Sequence, residues 1–328
     1  MSLDVEWVPS CNFEMLAARA RLYNEIRCFF RELNVLEVET PILSGRTVTD
    51  PFISSFNVAH APIAGRDKTY LQTSPEFSMK RLLAAGSGSI YQIAKSFRVG
   101  EEGRFHNPEF TLLEWYRVGF GLHELELEIE DLLRRLYEGF GRSFSAKKIS
   151  YLDLFINFTG LHPLTSDLLE MEVLARQRGL EDAAEICGRD RSRWLDFLFS
   201  QLVQPCLCKD SVYFVRPYPA LLPSLALKSP NQDGWVERLE IFAAGIEIAN
   251  GFHELCDPCE QSERFQRDVE ARRRDGLEEV VPDERLISAL ESGLPDCAGV
   301  ALGLDRLLMV LMRKRRLSET LSFDYSTA

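Results

Sequence analysis

The chain reads as an α+β fold, a mostly antiparallel sheet backed by helices, and three stretches predict it. Ser96 to Arg117 alternates as a strand, a tight charged loop and a second strand. Asp296 to Leu307 is a short apolar strand that feeds a helix. Phe13 to Val38 is a helix followed by a strand, which Pro41 ends. With 328 residues and 45% hydrophobic content, the whole of 1–328 suits one compact domain carrying a helical insertion at about 119–210.

Taken in order, Phe13, Leu16, Ala17, Ala20, Ile26 and Phe30 recur at helical spacing over 13–33, and Val35 to Val38 follows as strand. In the second strand of the charged hairpin, period-two alternation puts Phe110, Leu112, Glu114 and Tyr116 on one face. A carboxylate and a phenol among apolar side chains need partners there. Arg98, Arg104 and His106 set cationic groups beside an aromatic ring, the parts that hold a triphosphate and a flat base together. Inside the insertion, Leu122, Leu125, Ile129, Leu132, Leu133 and Leu136 mark an amphipathic helix. Polar helical stretches near 168–178 and 190–203 should pack beside the sheet without chemistry of their own. Val212 to Val215 and Glu237 to Ile248 return to strand. From Glu247 to Glu254 the alternation changes phase, and Asn250-Gly251 is the expected bulge that turns Asn250, Phe252 and Glu254 toward the face of Glu247. Pro258 to Gly276 is a charged helix, acidic first and arginine-rich last, as its macrodipole favours.

The formal net charge of −12 argues against extended contact with a phosphate backbone and favours a basic macromolecular partner. Asp4, Glu6, Glu14 and Arg19 interrupt the first twenty residues, so no secretory signal is expected, and no apolar run reaches the roughly 20 residues of a bilayer span. A cytoplasmic protein without membrane contact is the expectation. Eight cysteines are scattered along the chain. Cys206-x-Cys208 and Cys256-x-x-Cys259 suggest zinc thiolates, but the pairs lie far apart, and free reduced thiols are expected.

The three predicting stretches, in this order, resemble motifs 1, 2 and 3 of class II aminoacyl-tRNA synthetases. Thr73-Ser74-Pro75-Glu76, His106-Asn107-Pro108-Glu109-Phe110 and Glu247 to Leu255 resemble the lysyl branch, and the likeness runs from about Phe13 to Leu311. Motif 1 begins within the first thirty residues and leaves no room here for the N-terminal OB-fold with which lysyl-tRNA synthetases grip the anticodon. This compact form resembles the elongation factor P–lysine ligase family, which charges a protein lysine instead of a tRNA.

The resemblance implies ATP-dependent formation of a lysyl or (R)-β-lysyl adenylate, followed by transfer to a lysine of elongation factor P. It makes Arg98 the holder of the α-phosphate and substrate carboxylate, a task suited to a bidentate guanidinium. Phe110 and Arg306 become the pair that sandwiches adenine, Arg306 also reaching the γ-phosphate, with His106, Asn107 and Ile248 further nucleotide contacts. Gly299 and Gly303 would let backbone approach ATP. Glu240 and Glu247 resemble the carboxylates that hold Mg²⁺ on the phosphates, a hard ion that suits oxygen ligands. Asn250 would take the amino-acid carboxylate, Phe252 its alkyl chain, Glu254 with Tyr116 and Glu114 its distal ammonium, and Glu76 with Ser74 the other amine.

Ala301 stands where lysyl-tRNA synthetases commonly have glycine and the protein ligases alanine, which implies (R)-β-lysine as the preferred substrate and α-lysine as a poor one. One departure concerns motif 2, which usually reads Arg-x-Glu. Here it is Arg98-Val99-Gly100, with Glu101 one place later. The motif 1 helix and strand imply a homodimer, and the missing OB-fold speaks against tRNA. The alternatives are a lysyl-tRNA synthetase-like enzyme with a nucleic-acid acceptor and a regulatory paralogue without catalysis. Arg98, Arg306, Glu240 and Glu247 are all present, which counts against the second.

Overall fold

Asn12 starts the first helix, its side-chain oxygen accepting from the Met15 amide at 3.0 Å and satisfying a free N–H of the first turn. In this computed structural model, which describes residues 7–59, 68–222 and 225–328, that helix is α1 (Phe13–Glu32), and it buries Met15, Leu22, Ile26, Phe29 and Phe30. Asp4 and Glu6 lie outside the described residues. α1 ends where Asn34 takes a left-handed φ of 54°. β1 (Leu36–Glu37) follows, then the small pair β2 (Leu43–Ser44) and β3 (Tyr70–Leu71), and α2 (Glu76–Ala84).

β4 (Ile90–Phe97) and β5 (Glu109–Val118) form the charged hairpin, and α3 (Leu122–Gly139) is the amphipathic helix of the insertion. The insertion holds more than the sequence suggests. β6 (Ala146–Ile149) and α4 (Tyr151–Thr159) precede α5 (Leu168–Gln177), α6 (Ala183–Cys187) and α7 (Arg191–Leu198), which passes into a π-turn at Phe199–Val203. After β7 (Val212–Val215) come the short pair β8 (Tyr218–Pro219) and β9 (Trp235–Val236), β10 (Arg238–Ala243) and β11 (Ile246–His253). α8 (Pro258–Arg274), α9 (Glu284–Gly293), β12 (Cys297–Gly303) and α10 (Leu304–Leu311) complete the order.

Eight strands make the main sheet in the order β1-β4-β5-β12-β11-β10-β7-β6. Only the outer pairs, β1 with β4 and β6 with β7, run parallel among the described residues, so the antiparallel expectation is met. Two details differ from the sequence reading. Glu237 to Ile248 is not one strand but the β10–β11 hairpin, reversed at Ala244 and Gly245 with φ of 54° and 76°. That mirror-type turn follows the sheet twist, but Ala-Gly lacks the asparagine or aspartate that usually announces it. The bulge also falls earlier than Asn250-Gly251. Ile241 pairs with Ala249 and Phe242 with Glu247, so Ile248 is the extra residue. The predicted phase change survives the shift, because Glu247, Asn250 and Phe252 still share one face.

The opposite face packs on α1, α3 and α10 through Phe30, Tyr91, Trp115, Leu133, Val300 and Leu308, all buried. Each such large side chain contributes about 1.5–3 kcal/mol of burial. A second cluster joins α4 to α7 with Tyr213, Val215 and Phe242, so the insertion leans on the β7–β10 side. A third joins α2, α8 and α9 to Ile90 and Tyr116. Three helix groups therefore hold the sheet while its middle strands keep one face open. No helix among the described residues is long and apolar enough to cross a membrane.

Candidate active site

Register across the open face decides what meets what. Gln92, Glu114, Ala301, Asn250 and Glu240 lie directly opposite one another on successive strands, as do Ile90, Tyr116, Gly299, Phe252 and Arg238 in the next row. Cross-strand neighbours share a face, so residues scattered over more than 150 positions line one cavity of about 550 Å³. Its wall includes Ser74, Glu76, Glu114, Asn250, Phe252 and Ala301 toward one end. Toward the other it includes Arg98, Glu101, His106, Asn107, Phe110 and Arg306, with Glu247, Ile248 and Gly303 between. Tyr116, Glu240 and Glu254 were expected on this wall and are not on it.

At the guanidinium end, Arg98 donates to the Thr73 carbonyl at 3.4 Å, pairs with Glu101 at 3.3 Å and lies 5.0 Å from the Phe110 ring centre. Glu101, three places after the arginine, reaches it through a loop bent at Gly100, φ 79°. The cation over Phe110 is Arg98. Arg306 donates to the Phe105 carbonyl at 3.1 Å and the Glu247 carbonyl at 3.0 Å, and meets His106 Nε2 at 2.6 Å. Burial, and next the Arg306 charge, push the His106 imidazole below its usual range, so it stands as a neutral acceptor. Asn107 is on the wall but works inside the loop, donating to the Glu109 carbonyl at 2.6 Å and accepting from the Tyr325 amide at 3.0 Å.

At the carboxylate end, Ser74 Oγ donates to Glu114 Oε1 at 2.6 Å and the Tyr116 hydroxyl to Glu114 Oε2 at 3.4 Å. Lys80 Nζ lies 2.6 Å from Glu76 Oε1 and 2.6 Å from Glu254 Oε2. Burial alone would depress the Lys80 ammonium, but Glu254 and Glu76 outweigh it and push its pKa up. Burial and then the Glu76 charge raise Glu114 to about 8. Burial raises Glu254 to about 7, although Lys80 works against it. Two acids share one internal base and a third, Glu114, is held by the hydroxyls of Ser74 and Tyr116, so this end accepts a further cation.

The structure also explains the misplaced residues. Glu254 is engaged by Lys80 behind the wall. Tyr116 packs on Gly299, where an added Cβ would lie 2.3 Å from its ring and 2.7 Å from Glu254 Oε1. Gly299 is thus required by Tyr116, and it does not line the cavity. At Gly303 the nearest contact to such a Cβ is 3.7 Å, so its open space faces the cavity. Glu240 accepts from the Tyr218 hydroxyl at 2.6 Å and from Arg238. Arg238 also donates to Asn250 Oδ1 at 3.2 Å, which turns that amide's NH₂ group away from Arg238.

Lys80 and Arg238 were both missed. The signals existed: Lys80 follows Glu76 by four on α2, and Arg238 precedes Glu240 by two on one strand face. A hard cation fits at Glu247. Burial first, then repulsion from Glu240, raises the pKa of that carboxyl, and Arg306, Arg238 and Arg98 oppose the rise. A divalent ion would relieve the same repulsion. Among the described residues no group of three or more His, Cys, Asp and Glu side chains gathers as a ready-made metal site.

Known proteins resemble this chain over nearly its whole length. The family described as class II tRNA synthetases (D, K and N) matches residues 5–326. A Vibrio cholerae serotype O1 protein named elongation factor P–(R)-β-lysine ligase is 44% identical over 325 residues, 98% of this chain and 99% of its own length. Proteins of the same name from Yersinia enterocolitica serotype O:8 and Histophilus somni strain 2336 are 42% and 44% identical over 330 residues, spanning both chains completely.

Proposed function

Because the chain belongs to the class II tRNA synthetase family (D, K and N), in the branch of the elongation factor P–(R)-β-lysine ligases, we propose that it activates (R)-β-lysine with ATP and transfers it to a lysine side chain of elongation factor P. The observation that carries this reading is one cavity, with guanidinium and aromatic groups at one end and the acids Glu76 and Glu114 at the other, Lys80 and Glu254 lying behind them.

The first step joins two anions. A carboxylate oxygen attacks the α-phosphorus, the bond to the bridging oxygen breaks, and pyrophosphate leaves. Arg98 neutralises and aligns the reacting groups, exchanging its weak contacts with Thr73 and Glu101 for charged oxygens. Phe110 and Arg306 take the adenine, and His106 and Arg306 the distal phosphates, with Asn107 holding the loop in shape. Glu247, with Glu240 beside it, would hold Mg²⁺, which screens the phosphate charge when bound. In the second step the acceptor's free amine attacks the acyl carbonyl, an amide forms and AMP leaves.

Asn250 Nδ2 points its donors at the substrate carboxylate, because Arg238 fixes the other side of the amide. Phe252 lies along the alkyl chain. Glu114 receives the distal ammonium, supported by Ser74 and Tyr116, and Glu254 acts from behind through Lys80. Glu76 takes the second amine. Ala301 faces Asn250 and Glu114 across the sheet, so its methyl bears on where the amine sits, one carbon further from the carboxylate in β-lysine than in lysine. One methyl distinguishes substrates by only about 1–3 kcal/mol, which leaves α-lysine as a slow substrate. Exposed Phe13 and Leu36 on the motif 1 helix and strand support a homodimer. A cytoplasmic site of action belongs to the same reading.

Pyrophosphate exchange with (R)-β-lysine and with lysine tests activation, and incubation of the loaded enzyme with elongation factor P and with tRNA tests the acceptor. Exchange favouring (R)-β-lysine and label on elongation factor P are the expected results. Exchange with neither isomer, or label only on tRNA, overturns the proposal.

A further inference from the structure

Arg313, Lys314, Arg315 and Arg316 follow one another just past Met312, which caps α10, in a chain of net charge −12. Arg313, Arg315 and Arg316 are exposed and Lys314 is half-buried. Among the described residues no ion pair engages any of the four side chains. The nearest acid in sequence, Glu319, turns its Oε1 to the backbone amides of Arg315 and Arg316, at 3.0 Å each. It shapes the turn and leaves the four cations uncompensated.

The dipole of α10 explains part of this cluster. Cations gather at helix C-termini because they complement the dipole, and Arg313 and Lys314 fit it. The effect fades within the last turn, so it does not reach Arg315 and Arg316. Arg313 also holds φ 54°, the left-handed position after a helix that normally takes glycine. Arginine stands there against local preference.

The turn is built into the cavity wall. Leu317, next in the chain, lines the cavity, and its amide donates to the Arg104 carbonyl at 2.9 Å. Arg104 Nε returns a bond to the Arg315 carbonyl at 2.9 Å, and its guanidinium covers the ring of Phe105, another wall residue. A basic spot is thereby fixed beside the guanidinium end of the site.

We propose that this basic turn is a docking surface for the acceptor protein, engaging an acidic patch that flanks its target lysine. This rests on the functional reading above. Four consecutive side chains on one turn cover a spot, not a groove, and the acidic balance of the rest of the chain repels a long phosphate backbone. Even on a partner that is basic elsewhere, an acidic patch would be drawn to this spot and held off the acidic remainder of the chain, which orients the acceptor amine toward the cavity.

The test replaces Arg313→Gly, Lys314→Ser, Arg315→Ser and Arg316→Ser together, and Arg315→Ser with Arg316→Ser as a milder pair that carries the same test should the fourfold variant fold poorly. None of these side chains lines the cavity, so pyrophosphate exchange should be unchanged. At low ionic strength, kcat/KM for transfer to elongation factor P should fall roughly tenfold or more, and the deficit should shrink as salt rises. Unchanged transfer by folded variants removes the docking surface alone. A matching rise in KM for ATP would reassign the turn to nucleotide capture, and tRNA retardation by wild type but not by the variants would reassign it to nucleic acid; either overturns the proposal. Wild-type enzyme that transfers nothing to elongation factor P removes the functional reading first, and this one with it.

Discussion

At one end of the cavity Arg98 and Arg306 rest on backbone carbonyls, a ring face and a neutral imidazole, with Glu101 at the edge of contact. At the other, Glu76 and Glu254 close on Lys80, while Glu114 is held by Ser74 and Tyr116. The Arg98 side chain keeps 26% of its surface exposed and the Lys80 side chain 3%. Neutral partners are easily exchanged for phosphate oxygens, which bind guanidinium more strongly. A buried acid cluster already threaded by its own ammonium has few ways to rearrange. The first end is built to be re-formed by its ligand, the second to test one.

The comparison breaks most visibly at Lys80. Replacing it as Lys80→Met leaves Glu254 and Glu76 facing each other in the interior. Removal of one partner from such a buried pair costs about 3–5 kcal/mol, read as a lower denaturation midpoint. A midpoint equal to wild type would mean that the two acids do not depend on that ammonium.

A pH series sharpens it next. Glu114 sits at about 8 in the folded protein against an ordinary 4.5, so the fold binds a proton that the unfolded chain releases. Its contribution to stability is complete below about 4.5 and is lost as pH rises through about 8, at up to about 1.4 kcal/mol per pH unit. Denaturant titrations of the unliganded protein should show Glu114→Gln flattening the alkaline part of that decline. Glu254, at about 7, should continue to supply the earlier part. Parallel curves for variant and wild type would assign the slope elsewhere.

The smallest effect belongs to the guanidinium end. Asn107→Ala removes the bond from the Tyr325 amide and the bond to the Glu109 carbonyl. Both are exposed, so stability should change by about 1 kcal/mol or less. KM for ATP should nevertheless rise severalfold while KM for the amino acid holds. Equal rises in both would show that the two ends are coupled more tightly than their contacts suggest.

Much of this arrangement was legible because it obeys period and phase. The apolar stripes of α1 and α3 and the alternation of Phe110, Leu112, Glu114 and Tyr116 set the sheet, its backing and the cavity face. Lys80 was only half legible: its spacing from Glu76 could be read, but its burial could not until Glu254, far along the chain, is folded over it. Glu240 was legible only in part. An acid beside apolar residues invites a ligand, but its partners Tyr218 and Arg238 come from an adjoining short strand and from two residues upstream. The hairpin turn at Ala244-Gly245 carries no side-chain signal, only a pair of positive φ angles.

The extra residue at Ile248 carries a lesson about how such a pocket is reached. Shortened by one position, β11 would put Asn250 and Phe252 on the side of α1 and α3, or else carry Glu247 there. No gradual lengthening of a regular strand connects those states. The pocket's floor exists only as an irregular one, and any ancestor with a straight β11 held a different set of side chains above its sheet.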